Sequence, residues 1–338
     1  MEDILNAYFE KSQDVFLKPL TNGLINSTYE VYQGNNRFIL QKINTTIFKK
    51  PEVLISNSLL VSNHLRNKNY SKGIITIIPN RNGNFLSYIN GETWRLTNYI
   101  PNSICYDQVI SDDQAFAAAE AISEFHALLN DLPIEKIQPS IEGFLDYKKR
   151  VEDYQLALKK ADPNRLDAAR EVLDYINANL YLVDRYLAIQ FPYRIVHADA
   201  KISNFLFAEI NPNQVTAVID WDTFIPGNIL CDFGDMVRTY ASLKAEDDAS
   251  EGAIFSKDYY DAVKKGFLAQ LQPILSPEEL EAIDLTAYVV ILIQAIRFVT
   301  DYLQNDIYYH IDRENHNLDR TINQVNLLRA LQEELCIN

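Results

Sequence analysis

The stretch Ile195–Arg238, IVHADAKISNFLFAEINPNQVTAVIDWDTFIPGNILCDFGDMVR, decides how the rest of the chain is read. A short apolar run ending at Val196 stops at His197-Ala198-Asp199. Asn204 follows five residues after Asp199, and Phe205-Leu206-Phe207 follows at once. That pattern predicts a strand, a polar loop and a second strand. Asn211-Pro212-Asn213-Gln214 carries turn chemistry and leads into Val215–Ile219, so Leu206 and Val218 belong to a hairpin with Asp220 and Asp222 at its far end.

A polar loop between buried strands can carry surface Asp and Asn with no further meaning. Here the spacing H-x-D-x-x-x-x-N is followed by I-D-x-D and D-F-G-D within one stretch. An Asp that accepts a hydroxyl proton, with an Asn and a second Asp holding Mg²⁺ on a triphosphate, is what phosphoryl transfer requires, because positioning and charge neutralisation supply most of the catalysis. Mg²⁺ takes hard oxygen ligands, and these side chains offer them.

The segment resembles the loop of the aminoglycoside phosphotransferase and choline kinase superfamily, and in finer detail the N-acetylhexosamine 1-kinase family. Further stretches carry the finer likeness: Asn22–Thr28, Phe38–Asn44, Trp94-Arg95, Asp220–Thr223 and Arg297–Leu303. The resemblance implies an α+β, bilobal protein-kinase-like fold. Its N-terminal nucleotide-binding lobe, residues 1–98, is an antiparallel sheet plus one helix; its larger, mainly helical catalytic and substrate-binding lobe spans 99–338, with a hinge at about 97–105. It also implies ATP and Mg²⁺ as cofactors and the anomeric hydroxyl of an N-acetylhexosamine as acceptor. Asp199 would be the catalytic base, and Asn204 and Asp220, with Asp222 assisting, the metal residues. Asn26, Thr28 and Lys42 would face the nucleotide; Leu24, Arg297 and Tyr308, with Asp199, would face the sugar. The family often has a His where Leu24 stands and a Glu where Gln294 stands, which bears on sugar selectivity.

Composition narrows the alternatives. With 338 residues, 47% apolar and 23% charged, the chain has material for two domains or one bilobal one. A net charge of −15 excludes a nucleic-acid surface of the usual basic kind. The start Met1-Glu2-Asp3 shows no basic region before an apolar core, and no purely apolar run reaches bilayer length, so neither export nor a membrane is expected. Cys105, Cys231 and Cys336 are scattered, without zinc spacing, and fit a reducing cytoplasm. A monomer binding ATP and a small sugar is consistent with all of this.

Upstream, residues 1–13 read as an amphipathic helix, and three strands follow at Phe16–Leu20, Thr28–Tyr32 and Arg37–Ile43 with tight turns between them. The turn at Thr21–Ser27 is either a plain hairpin turn or a phosphate loop. Lys42 is either a solvated strand lysine or the cation that meets the α- and β-phosphates. Pro51 opens a helix to about Arg66. A kinase-like fold puts there a Glu paired with the strand lysine; the matching place holds Ser56, with Glu52 the only acid nearby, so Lys42 lacks an obvious partner. Later segments read as helices over Asp112–Leu129, Ile141–Leu158, Leu166–Tyr186, Ala253–Leu271 and Pro277 to beyond Arg297. His126 reads as a packing histidine, Asp232 as a tie for the catalytic loop, and Arg297 with Asp301 as an ion pair one turn apart unless Arg297 serves the sugar.

The resemblance implies an N-acetylhexosamine 1-kinase; the alternatives are a kinase for a cationic acceptor such as an amino alcohol or aminoglycoside, and a non-catalytic pseudokinase. The intact Asp199, Asn204 and Asp220 speak against the last.

Overall fold

A computed structural model describes residues 1–20, 25–250 and 252–335. In chain order these form α1 (Glu2–Tyr8), β1 (Val15–Leu20), β2 (Ser27–Gln33), β3 (Asn36–Ile43), α2 (Pro51–Asn67), β4 (Ile77–Ile78), β5 (Ser87–Ile89), β6 (Glu92–Asn98), β7 (Ser103–Ile104) and α3 (Asp112–Leu129). Then come α4 (Tyr147–Lys160), α5 (Pro163–Ala168), α6 (Arg170–Leu187), β8 (Arg194–Val196), β9 (Phe205–Ala208), β10 (Asn211–Val218), β11 (Ile225–Gly227), α7 (Leu230–Tyr240), α8 (Lys257–Leu271), α9 (Pro277–Glu281), α10 (Ile283–Leu303) and α11 (His316–Leu335).

The chain divides into two compact units. One comprises Met1–Cys105, Leu128–Glu142 and Phe205–Pro226; the other comprises Tyr106–Ala127, Gly143–Asn204 and Gly227–Asn338. β9 carries the hairpin into the first unit, where it pairs with β7 and β10.

In the first unit the large sheet runs β1-β2-β3-β6-β4, with β5 also on β6, and every pairing is antiparallel. Successive strand residues point to opposite faces, so this sheet has two distinct sides. On one, α1 packs Ile4 and Leu5, with Phe9 just beyond it, against Val31, Leu40, Trp94 and Leu96. On the other, Leu54 and Ile55 of α2 pack with Ile43 and Ile77. The register aligns Gln41 with Arg95, Leu40 with Leu96 and Lys42 with Trp94. Gln41 and Arg95 therefore share the α2 side, and Lys42 lies on the α1 side.

The second unit is built around α10, which packs on α4, α6, α7 and α11. This helix is long and apolar enough, by length and composition alone, to cross a membrane, but 72% of its most apolar window is buried. It serves as the core of the unit. Gly234 on α7 permits the close approach to α10, since a Cβ there would meet Val290 Cγ2 at 2.6 Å. The helices α7 and α11 have mixed charge and short apolar periods, and sequence reasoning had not marked either.

Candidate active site

In the second unit, β8 delivers the chain into His197-Ala198-Asp199. Ala198 takes a left-handed conformation, φ 65°, which is unfavourable for a residue with a Cβ. What holds it there is Asp232 on α7, fully buried. Its Oδ1 accepts from the Ala198 amide at 2.7 Å, and its Oδ2 accepts from the His197 amide at 2.9 Å and lies 2.8 Å from His126 Nε2. Charge-assisted bonds of this kind are short and strong. Asp232 thus ties the loop down, and His126, on the core stripe of α3, supports that tie.

The strained residue aims Asp199. Asn204 Nδ2 donates to the Asp199 backbone oxygen at 2.8 Å and to Oδ2 at 2.9 Å, and Lys201 Nζ lies 2.9 Å from Oδ2. Burial pushes the Asp199 carboxyl up, but Lys201, His197 and Asn204 together outweigh it and hold the group below its ordinary value. Asp199 is therefore ionised near neutral pH. Lys201 was not singled out in the sequence, although its place two residues after the Asp is readable there.

Asn204 commits its amide nitrogen to Asp199, which leaves its carbonyl oxygen for a cation. That oxygen suits Mg²⁺. Among the described residues no group of three or more His, Cys, Asp or Glu side chains is gathered in a way that could hold a metal ion.

Beside Asp199 in charge space stands Asp235, one turn beyond Asp232. Burial raises its carboxyl, Arg238 pulls it down, and the neighbouring Asp199 and Asp232 push it back up, so the net direction is upward. Arg238 bonds Asp235 Oδ1 at 3.0 Å and Glu246 Oε1 at 2.6 Å.

Arg297 on α10 is not the partner of Asp301. Its Nη1 donates to Gln294 Oε1 at 2.9 Å, and its guanidinium sits 5.7 Å from the ring centres of both Phe144 and Tyr309. The Asp301 carboxylate accepts instead from the amides of Tyr308 and Tyr309, at 2.8 and 2.9 Å, and from Asn317 Nδ2 at 2.9 Å. Asp301 shapes the turn that lays Tyr309 over Arg297. Tyr308 is exposed and meets the edge of Tyr309 at 4.8 Å; the ring at Arg297 is Tyr309, one residue further on than expected. Arg150, from α4, faces the same cluster: its Nε is buried with no hydrogen-bond partner, and burial followed by the Arg297 charge lowers its pKa.

In the first unit Asp220 is exposed at the end of the hairpin, with φ 61°. Asp tolerates that region better than most residues, and such outliers gather at functional sites. Asp222, two residues on, is buried and engaged at both oxygens. Arg95 Nη1 donates to Oδ1 at 2.6 Å, Arg95 Nη2 to Oδ2 at 2.8 Å, and Asn26 Nδ2 to Oδ2 at 2.9 Å. Asn26 Oδ1 accepts from the Asn44 amide at 2.9 Å, so both ends of this side chain serve the protein. Arg95 Nε and Nη2 donate to Gln41 Oε1 at 2.9 and 2.7 Å, and Gln41 Nε2 donates to Thr28 Oγ1 at 3.2 Å. The first unit thus brings Asn26, Thr28 and Asp222 together around Arg95, a residue quoted in the Trp94-Arg95 motif but given no role. Alternation on β6 marks it: a charged residue between Trp94 and Leu96 must face the opposite side from them.

Lys42 stands apart from this network. It lies on the α1 side of β3, about two-fifths exposed, with Nζ 3.1 Å from Glu92; such surface pairs contribute about 0–1 kcal/mol. On α2, Ser56 Oγ donates to its own helix at Val53 O, and Glu52 accepts from Tyr88. Leu24, expected at the sugar, lies outside the described residues, as do Asn22 and Gly23 of the turn.

The family model for APH, the phosphotransferase enzyme family, matches residues 17–265. Among solved structures, the chain is similar to a microcompartment-associated aminopropanol kinase, with a TM-score of 0.69 and 16% identity over 99% of this chain and 96% of that one. It is similar to an aminoglycoside phosphotransferase from Alicyclobacillus acidocaldarius at a TM-score of 0.66 and 14% identity, covering 98% and 94%. A Plasmodium vivax ethanolamine kinase matches at a TM-score of 0.58 and 15% identity, covering 95% and 85%.

Proposed function

The chain belongs to the phosphotransferase enzyme family, and on that premise we propose that it is an ATP- and Mg²⁺-dependent kinase that phosphorylates the anomeric hydroxyl of an N-acetylhexosamine. In this reading the Asp199 carboxylate takes the proton of the acceptor hydroxyl as its oxygen attacks the γ-phosphorus, and ADP departs with the pair of electrons from the broken P–O bond. Lys201 keeps Asp199 ionised and adds positive charge beside it. Asn204 and Asp220 would hold Mg²⁺, which when bound neutralises charge on the phosphates. Asp222, with both oxygens committed inside the protein, is in our reading a support for this machinery and not a ligand.

One observation carries the choice of acceptor. Arg297 and Arg150 present two guanidinium groups to one aromatic cluster, and among the described residues no carboxylate is bonded to either. Two cations in a partly desolvated place repel a third strongly, which disfavours an ammonium-bearing acceptor of the kind named for the aminopropanol and ethanolamine kinases above. Donor-rich guanidinium edges and aromatic faces suit the hydroxyls and acetamido oxygen of a sugar. A thermal-shift panel tests this: N-acetylglucosamine and N-acetylgalactosamine should raise the melting temperature in the presence of Mg-ADP, whereas choline, aminopropanol and kanamycin should not. Stabilisation by the amines alone would replace the sugar reading with the cationic one.

A further inference from the structure

In kinase folds a lysine on the third strand grips the α- and β-phosphates and is itself held by a glutamate from the neighbouring helix. This chain has neither in place. On β3, Gln41 occupies the α2 side and Lys42 the other; on α2, Ser56 bonds its own backbone and Glu52 meets Tyr88. The missing helix glutamate is thus matched by a missing inward lysine.

A buried ion pair stands on that side of the sheet all the same. Arg95 reaches it from β6, with its side chain 6% exposed and that of Asp222 3% exposed. Burial of two charges is expensive, and a pair that serves stability alone is often replaceable by apolar residues. Here the acid comes from the turn Trp221–Thr223, directly after the exposed, left-handed Asp220, and α2 packs against the same turn. Arg95 has five N–H groups. The described hydrogen bonds use one on Nε, two on Nη2 and one on Nη1, leaving one Nη1 proton for an incoming oxygen.

We propose that the Arg95–Asp222 pair takes over the part of the strand lysine and helix glutamate, and that Arg95, not Lys42, is the cation that fixes the phosphate side of the nucleotide and the position of Asp220. Gln41 holds the guanidinium in plane from the position the lysine would otherwise occupy, and Thr28 holds Gln41. The acid partner travels with the metal-side turn and not with the helix. This inference rests on the kinase reading above.

The test is Mg-ATP binding by titration calorimetry on the full chain, which needs no acceptor. Arg95→Met should weaken Mg-ATP binding at least tenfold, Lys42→Met should change it less than twofold, and Gln41→Lys in the Arg95→Met background should recover much of the loss by returning a cation to the same side. Should Arg95→Met not fold, the Arg95→Met/Asp222→Asn variant leaves no charge buried alone and is expected to show the same weakening. Wild-type affinity in a folded Arg95 variant, or a loss in Lys42→Met equal to that in Arg95→Met, overturns the proposal while leaving the kinase reading intact. Absence of Mg-ATP binding by the unaltered protein overturns both.

Discussion

Asp222 meets Arg95 through two parallel hydrogen bonds, 2.6 and 2.8 Å long, with both side chains almost wholly withdrawn from water. A bidentate pair of this geometry joins the sheet to the turn that follows Asp220. Removing one partner leaves the other charge buried alone, so Asp222→Ala should destabilise the protein by about 3–5 kcal/mol. Denaturant unfolding measures it, and a loss under 1 kcal/mol would mean that water reaches Arg95.

Ala198 should accept glycine and reject valine. Its φ of 65° is held by the hydrogen bond that the Ala198 amide donates to Asp232 Oδ1. An L-residue there costs about 1–2 kcal/mol, partly offset in glycine by its larger entropy loss. Ala198→Gly should therefore fold with stability unchanged or raised by up to about 1 kcal/mol and keep its activity. Ala198→Val should lose about 1–3 kcal/mol. Equal melting temperatures for the two variants would count against the strained loop.

With Asp199 as the base proposed above, Lys201 should govern the acid limb of the rate profile. Burial raises Asp199, and Lys201 is the largest of the influences that lower it. The base works only when ionised, so rate falls as pH drops through its pKa. In Lys201→Met the largest lowering influence is gone, the Asp199 pKa rises, and the acid limb of kcat/KM should move to higher pH. An unmoved limb would show that Lys201 does not act on Asp199.

Arg297→Met should raise KM for the sugar tenfold or more and leave KM for ATP nearly unchanged. Because Asp301 is already satisfied by two amides and Asn317, the substitution strands no carboxylate, and the melting temperature should hold. A fall of several degrees with both KM values affected alike would return Arg297 to a structural role.

The elements that sequence reasoning placed best were those with one strong period. The helix over Asp112–Leu129 has the expected bounds, and β1 to β3 fall within a residue or two of the apolar runs that marked them. The loop around Asp199 was legible because its polar residues interrupt two apolar strands at fixed spacing. Side-chain direction was less legible. Gln41 and Lys42 are neighbours on one strand, and only the pairing with Trp94 and Arg95 reveals which faces α2. Asp301 and Arg297 have the spacing of an ion pair, yet the chain turns back after α10 and offers the Tyr308 and Tyr309 amides to the carboxylate, a closure that helical spacing does not announce. Tyr309 and Arg150 were missed for the same reason, since each acquires meaning only from the helix it lies against.

Acceptor-dependent phosphoryl transfer to a sugar is measured as ADP release from Mg-ATP in the presence and absence of N-acetylglucosamine or N-acetylgalactosamine. Release should depend on the sugar, yield a 1-phosphate seen by phosphorus NMR, and fall by about a hundred- to ten-thousandfold in Asp199→Asn while that variant still binds ATP. Sugar-independent release, or turnover that responds only to amino alcohols or aminoglycosides, would contradict it.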